Sequence, residues 1–399
     1  MIKEKLVRVT TVPVSLHKLL HDQLKYMLKY FDVIGISSGG ETLERVKKEQ
    51  GVNVVPIEMT RTISPLRDLA SLLKMYRVLK GQRPFIVHSH TPKAGVIGML
   101  AAKLAGVPHR LHTVAGLPLM EVNGGKRILL NMVEKLTYAC ATKVYPNSYG
   151  LQKFILEEKF CGNDKLKVIG RGSSNGIDTQ HFSRIEIETS DILNLKQSYN
   201  LDNPQTVFCF VGRLVGDKGI NELVAAFCKV YTKDSNARLL LVGELEKELD
   251  PLLPETEKQI ENHPGIVGVG WQEDVRPYLA ISDVFVFPSY REGFPNVVMQ
   301  AGAMELPCIV SNINGCNEII EEGINGMIIP SKDENELYNA MLELLEKREK
   351  RELLASVSRQ MIVERYEQQY VWESLLKEYK TLLEANKLNV KSPKSVAVE

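Results

Sequence analysis

The chain is poor in the features that would staple, embed or strongly polarise a protein. Only six of its 399 residues are cysteine (Cys140, Cys161, Cys209, Cys228, Cys308 and Cys316), and no two form a C-x-x-C pair. Several lie in apolar runs, so they read as reduced, buried thiols; a disulfide scaffold is excluded and no metal site is expected. No uncharged stretch is long enough to cross a bilayer, and the best, 94–105, is broken by Lys103. The opening MIKEKLVRVTTVPVSL reads as a short strand without the long apolar core of a secretion signal. A cytoplasmic protein is expected, at most peripheral at the inner face of the cell membrane. No nucleic acid is expected among its partners.

What is present is ordinary globular material. Apolar residues at 44% and charged residues at 25% suffice for packed cores, and the length suits two domains. The net charge of +1 hides an uneven distribution. Residues 1–200 hold 29 Lys and Arg against 17 Asp and Glu, a net +12, whereas 201–399 carry −11. A basic half beside an acidic half implies units with different partners, and the basic one suits an anionic membrane surface or a phosphate-linked acceptor.

Strand-like and helix-like segments alternate along the chain, which predicts parallel sheets covered by helices on both faces. Strands are expected at 6–11, 32–37, 52–56, 85–89, 109–113, 143–146 and 167–169. A second series follows at 206–211, 238–242, 266–269, 284–287, 307–311 and 326–329. Helical patterns lie between them, including 17–30, 65–80, 93–105 and 126–139. The fold class is α/β, with two Rossmann-like doubly wound domains facing across a cleft. The first spans 1–184 and the second 205–364, with a polar linker at 185–204 and a flexible tail at 384–399. A further helix is expected at 365–383.

Two segments carry the chemistry. The first, VFCFVGRLVGDKGINELVAAF (207–227), runs a strand into Gly212, Arg213, Lys218 and an amphipathic helix. A planar guanidinium fork and a mobile ammonium there suit a diphosphate. The second, FVFPSYREGFPNVVMQAGAMELP (285–307), runs a strand into a Pro-Ser turn, an isolated Glu292 and a helix opened by Gly293-Phe294-Pro295. A carboxylate beside a bare helix N-terminus suits a polyhydroxylated ligand that also bears an anion, such as a sugar phosphate.

The second segment resembles the E-x7-E signature of retaining glycosyltransferases with the GT-B fold, glycosyltransferase family 4. Pro288, Ser289, Glu292, Gly293, Phe294, Pro295, Ala301, Ala303 and Pro307 follow that pattern; Gln300 replaces its second Glu, and Glu305 replaces a Gly. The resemblance implies a sugar transferred with retention from a nucleotide-diphosphate sugar, most commonly a UDP-sugar, without cofactor or metal. The acceptor implied is a glycan or lipid-linked glycan in surface polysaccharide biosynthesis. The family's last helix returns to the first domain, so the resemblance implies that 365–383 completes that domain. Glu292, Arg213 and Lys218 would be catalytic. Gly212, Gly243, Trp271, Gly293, Phe294, Asn296, Val297 and Gln300 would bind the donor.

On the acceptor side the resemblance points to Ser15, His90, Lys93 and His112, the last three within IVHSHTPKAGVIGMLAAKLAGVPHRLHTVAGLP (86–118). Ala115 stands where the family carries a donor-contacting His, so His112 serves only if it points into the cleft. A buried strand histidine is the plainer reading. His88 and His90 alternate on one strand and should share a face. A sugar-nucleotide epimerase or a non-catalytic nucleotide-sugar-binding module are the alternatives, the latter favoured by Ala115 and Gln300.

Overall fold

The computed structural model describes residues 3–60, 64–201, 206–248 and 250–391, with backbone alone at 118, 121 and 386–391. The chain divides into two units, one holding residues up to Gly176 together with those from Gln369, the other Ile177–Gln368.

The first unit is built on a parallel sheet of β1 (Lys5–Val9), β2 (Asp32–Ser37), β3 (Asn53–Pro56), β4 (Ile86–Ser89), β5 (His109–Val114) and β6 (Lys143–Pro146). Their order is β3-β2-β1-β4-β5-β6. Strands buried on both faces read as nearly unbroken apolar runs, and after its first residue, Lys5, β1 does so except at Arg8. Helices cover both faces. Met75, Ile97, Met99 and Tyr138 lie in one core, and Leu24, Phe31, Leu375 and Tyr379 in the other.

The second unit repeats the scheme with β7 (Val207–Val211), β8 (Arg238–Val242), β9 (Ile266–Gly270), β10 (Val284–Phe287), β11 (Cys308–Ser311) and β12 (Gly326–Ile329). The order β12-β11-β10-β7-β8-β9 is the same winding, centred on β7 and β10. Parallel sheets of this kind hold ligands beyond the carboxyl ends of their strands, where the order reverses. Those switch points lie between β1 and β4 and between β7 and β10.

Five expectations need correction. The strand expected at 167–169 is absent; a single bridge between Val144 and Leu166 takes its place. The helix expected at 17–30 is two short pieces, Ser15–Leu19 and Gln23–Met27, separated by Asp22 at φ 56°. The segment expected as a linker belongs to the second unit, where Thr189–Ser198 is a helix packed against Arg276–Ala280; residues 202–204 lie outside the described residues. The returning helix starts later, as Gln368–Lys391, and its predecessor Arg348–Tyr366 stays with the second unit. Of the tail expected from 384, the part to Lys391 continues that helix, and 392–399 lie outside the described residues. All six thiols are free, and burial pushes that of Cys209 up to about 12.

Candidate active site

The loops after β7 and β10 meet at the second switch point. After β7 the chain turns through Gly212 and Arg213 to a short helical turn, Gly216–Lys218, and then enters helix Ile220–Lys233 at Gly219. Gly219 has φ +71°, and a Cβ there would stand 2.2 Å from the carbonyl oxygen of Pro288. Only glycine lets the two loops approach so closely. At the end of β8, Gly243 (φ +149°) does the same, since a Cβ would stand 1.8 Å from the Gly212 carbonyl oxygen.

That approach delivers Lys218 to Glu292. Their side chains form an ion pair with both partners mostly buried. Ser289 donates its hydroxyl hydrogen to Glu292 Oε1 at 3.1 Å, and the amide of Asn314 donates to the carbonyls of Glu292 (3.1 Å) and Gly293 (2.6 Å). Tyr290 N–H donates to the Asp217 carbonyl at 2.9 Å, and Arg291 pairs with the Asp217 carboxylate at 2.9 Å. The two loops are thus sewn together around Lys218 and Glu292. Arg213, half-exposed in the loop after β7, pairs instead with Glu246 of the loop after β8, at 2.9 Å.

Helix Asn296–Ala303 starts at this edge with no side chain capping it. Its first N–H groups have no intrahelical acceptors, so Asn296 and Val297 present donors and a positive dipole end. Phe294 is buried against the ring of Tyr366, 5.3 Å away, and so anchors the turn from below. Gln300 follows on the second turn, half-buried. Trp271, directly after β9, is 59% exposed and forms no part of the core. Since all six strands run parallel, every donor-side residue named from the sequence falls at or beside one edge of this sheet.

In the first unit the picture differs. The loop after β1 is stitched to the start of helix Pro92–Ala105: Thr11 N–H donates to Thr91 Oγ1 at 2.9 Å, and their hydroxyls lie 2.7 Å apart. Ser15 sits half-buried at the end of this loop. His88 and His90 do share a face, with ring centroids 4.2 Å apart. Beneath them lies a network that sequence reasoning missed. Arg8 is fully buried and donates from Nε to His90 Nε2 at 3.0 Å, from Nη1 to the Tyr379 hydroxyl at 3.2 Å, and to Gln23. His88 bridges Tyr379 and Thr113 at 2.6 and 2.7 Å. An arginine inside the apolar run Leu6-Val7-Arg8-Val9 was the available signal. Unpartnered Nδ1 of His90 borders a cavity of about 20 Å³ shared with Asn147 and Ser174, room for one water-sized group.

Two residues expected on the acceptor side find partners within the first unit. Lys93 pairs with Asp68 at 2.6 Å and so ties two helices together. His112 is buried with Nδ1 at 2.8 Å from Ser89 Oγ, its ring filling the space left by Gly95. Burial pushes it down to about 4, so it stays neutral at physiological pH.

A doubly wound unit with a cationic loop, a carboxylate and an uncapped helix N-terminus at one switch point belongs to the class of proteins that hold phosphate-bearing ligands there. Comparison with known proteins narrows the class. Residues 205–347 match the family described as Glycosyl transferases group 1, and residues 31–172 match the Glycosyl transferase 4-like domain. The capsular polysaccharide biosynthesis glycosyltransferase CapM of Staphylococcus aureus is 34% identical, over 95% of this chain and 98% of its own. An Escherichia coli UDP-Gal:alpha-D-GlcNAc-diphosphoundecaprenol alpha-1,3-galactosyltransferase is 31% identical, over 72% of this chain and 73% of its own. Among solved structures, a Rickettsia africae glycosyltransferase superposes with TM-score 0.79 at 19% identity, covering 96% of this chain and 99% of that one. HepE of Anabaena, crystallised with UDP-glucose, gives 0.76 at 19% identity, covering 95% and 100%. The chain belongs to the group 1 glycosyltransferases, and its fold is theirs, GT-B.

Proposed function

We propose that the protein transfers a sugar, with retention, from a UDP-sugar to a glycan carried on a lipid diphosphate, at the cytoplasmic face of the membrane. The observation that carries this reading is the pairing of Lys218 with Glu292 beside the bare start of helix Asn296–Ala303 at one switch point, with Arg213 in the loop that follows the same strand β7 as Lys218. Support for the acceptor comes from relatives named for diphosphoundecaprenol substrates, and for the carrier from a relative named for UDP-Gal and a structural neighbour solved with UDP-glucose.

In this reading the bond between the anomeric carbon and the diphosphate breaks as the acceptor oxygen attacks from the same face. The acceptor proton passes to the departing phosphate oxygen, and the nucleoside diphosphate leaves. Lys218 and Arg213 neutralise the charge gathering on that diphosphate, so no metal ion is required. Glu292 holds sugar hydroxyls and faces the positive charge developing at the anomeric centre.

The test is turnover with UDP-sugars and a short lipid-diphosphate-linked acceptor, in chelator, with the product anomer read by proton NMR. The expected product has the donor's anomeric configuration. Lys218→Ala and Glu292→Gln should each lower kcat by roughly 10²–10³-fold, the scale of one well-placed electrostatic group. Nucleotide binding without turnover, indifferent to Glu292→Gln, would instead indicate a non-catalytic module.

A further inference from the structure

Helices Pro65–Gln82, Pro92–Ala105 and Gly124–Cys140 lie side by side against the first sheet, and the middle one is mostly buried by its neighbours. The outward faces of the two flanking helices are unusual for solvent-facing surface. On the first, Leu66, Leu69 and Leu73 recur at helical spacing and are 86%, 53% and 48% exposed. On the other, Ile128, Leu129, Met132 and Leu136 do the same, at 40–62% exposure. Solvent-facing helix positions are ordinarily polar, and contiguous apolar exposure marks an interaction surface.

The charges on these faces have one sign. Arg67, Lys74, Arg77 and Lys80 are exposed on the first helix, Lys126 and Lys135 on the other. Each helix contains one acid. Asp68 pairs with Lys93 and Glu134 is buried, so neither faces outward.

We propose that this surface seats the first unit on an anionic phospholipid bilayer. The leucines, Ile128 and Met132 enter the boundary between headgroups and acyl chains, and the lysines and arginines meet lipid phosphates. Leucine with lysine and arginine, without outward acids, is the pattern of a helix lying in a membrane interface. A second copy of the chain is the poorer occupant, because a two-fold interface would set this basic surface against itself. The inference rests on the lipid-linked acceptor proposed above and names the surface that brings the enzyme to it.

The test is sedimentation of the full chain with vesicles of phosphatidylglycerol and phosphatidylcholine in equal parts, against phosphatidylcholine alone. Binding is expected with the first, weakening as salt is raised. Replacing Lys74, Arg77 or Lys80 by Gln should weaken the partition by roughly fivefold per charge. The pairs Leu69→Ser with Leu73→Ser, and Ile128→Ser with Met132→Ser, should each weaken it by roughly tenfold or more. Exposed residues cost little folding stability, so melting temperature and nucleotide binding should stay unchanged and vouch for folded variants. Failure to sediment with the anionic vesicles, or sedimentation indifferent to every variant, would overturn the proposal. So would a wild-type dimer in light scattering that the apolar variants dissolve. Transfer to a water-soluble acceptor is measured in parallel. Transfer without vesicle binding removes this inference alone, and vesicle binding without transfer removes only the catalytic reading.

Discussion

Glu305 holds a left-handed backbone, φ 62°, just past helix Asn296–Ala303, and Leu306 N–H closes the helix end onto the Ala301 carbonyl at 3.0 Å. The family pattern puts Gly at this position, and the backbone shows why: the conformation costs a residue with a Cβ roughly 1–2 kcal/mol. Gly in turn gives up about 0.5–1 kcal/mol of chain entropy. The strain term is the larger, so Glu305→Gly should stabilise the protein by about 0.5–1 kcal/mol and raise the denaturant midpoint. A lowered midpoint would mean that the Glu305 side chain contributes more than its backbone costs. Residue-scale reading of the sequence is simplest where a residue's surroundings are local. Arg213, Lys218 and Glu292 sit in loops directly after strands, and their types alone advertise charge handling. It failed where a partner is distant. Arg8 bonds a tyrosine 371 positions away, and Lys93 looks free until Asp68 is folded against it.

Strands β4 and β5 are built around neutral imidazoles. Burial, then the charge of Arg8 for His88 and the neighbouring His88 and Arg8 for His90, holds both well below the ordinary histidine value; burial, opposed by a hydrogen bond at Ser89, puts His112 at about 4. The unfolded chain takes up protons on these residues near pH 6.5, and the folded one does not. Stability is therefore at its full value above that pH and is lost as pH falls toward 4. The slope is about 1.4 kcal/mol per pH unit for each histidine that stays neutral. Melting temperatures read from pH 7.5 to 5 should fall, and His112→Gln should fall less steeply from a lower start. A melting temperature flat across that range would contradict neutral burial. Strand positions were legible at this scale because an apolar run between turn residues has few other readings. The helix expected at 17–30 was not. Its apolar spacing is helical, but Asp22 turns left-handed and Gln23 is drawn into the bonds of Arg8, Ser174 and Asn175.

At the scale of the whole molecule, the two windings were legible and the division between them was not. The polar stretch 185–204 looks like a connection by composition. Yet its helix packs inside the second unit, and the units divide at Gly176. Polarity marked a surface segment, and surface segments need not be boundaries. The position of the candidate site was legible because the order of a parallel sheet dictates which loops meet, and the motifs fall in those loops. What Gln300 does in place of a carboxylate was not, since a side chain on the second turn acquires its role only from the ligand before it. In the proposed function the carboxyl end of the second sheet, between β7 and β10, grips a nucleotide diphosphate. The most direct measurement is the change in melting temperature across UDP, GDP, ADP and their sugars, for the wild type and for Arg213→Ala and Lys218→Ala. A ligand that binds only the folded chain stabilises it by about 2.7 kcal/mol at a hundred times its Kd. Such a shift is expected with UDP and a UDP-sugar, much reduced in both variants. A shift that survives both substitutions, or none with any nucleotide, would contradict it.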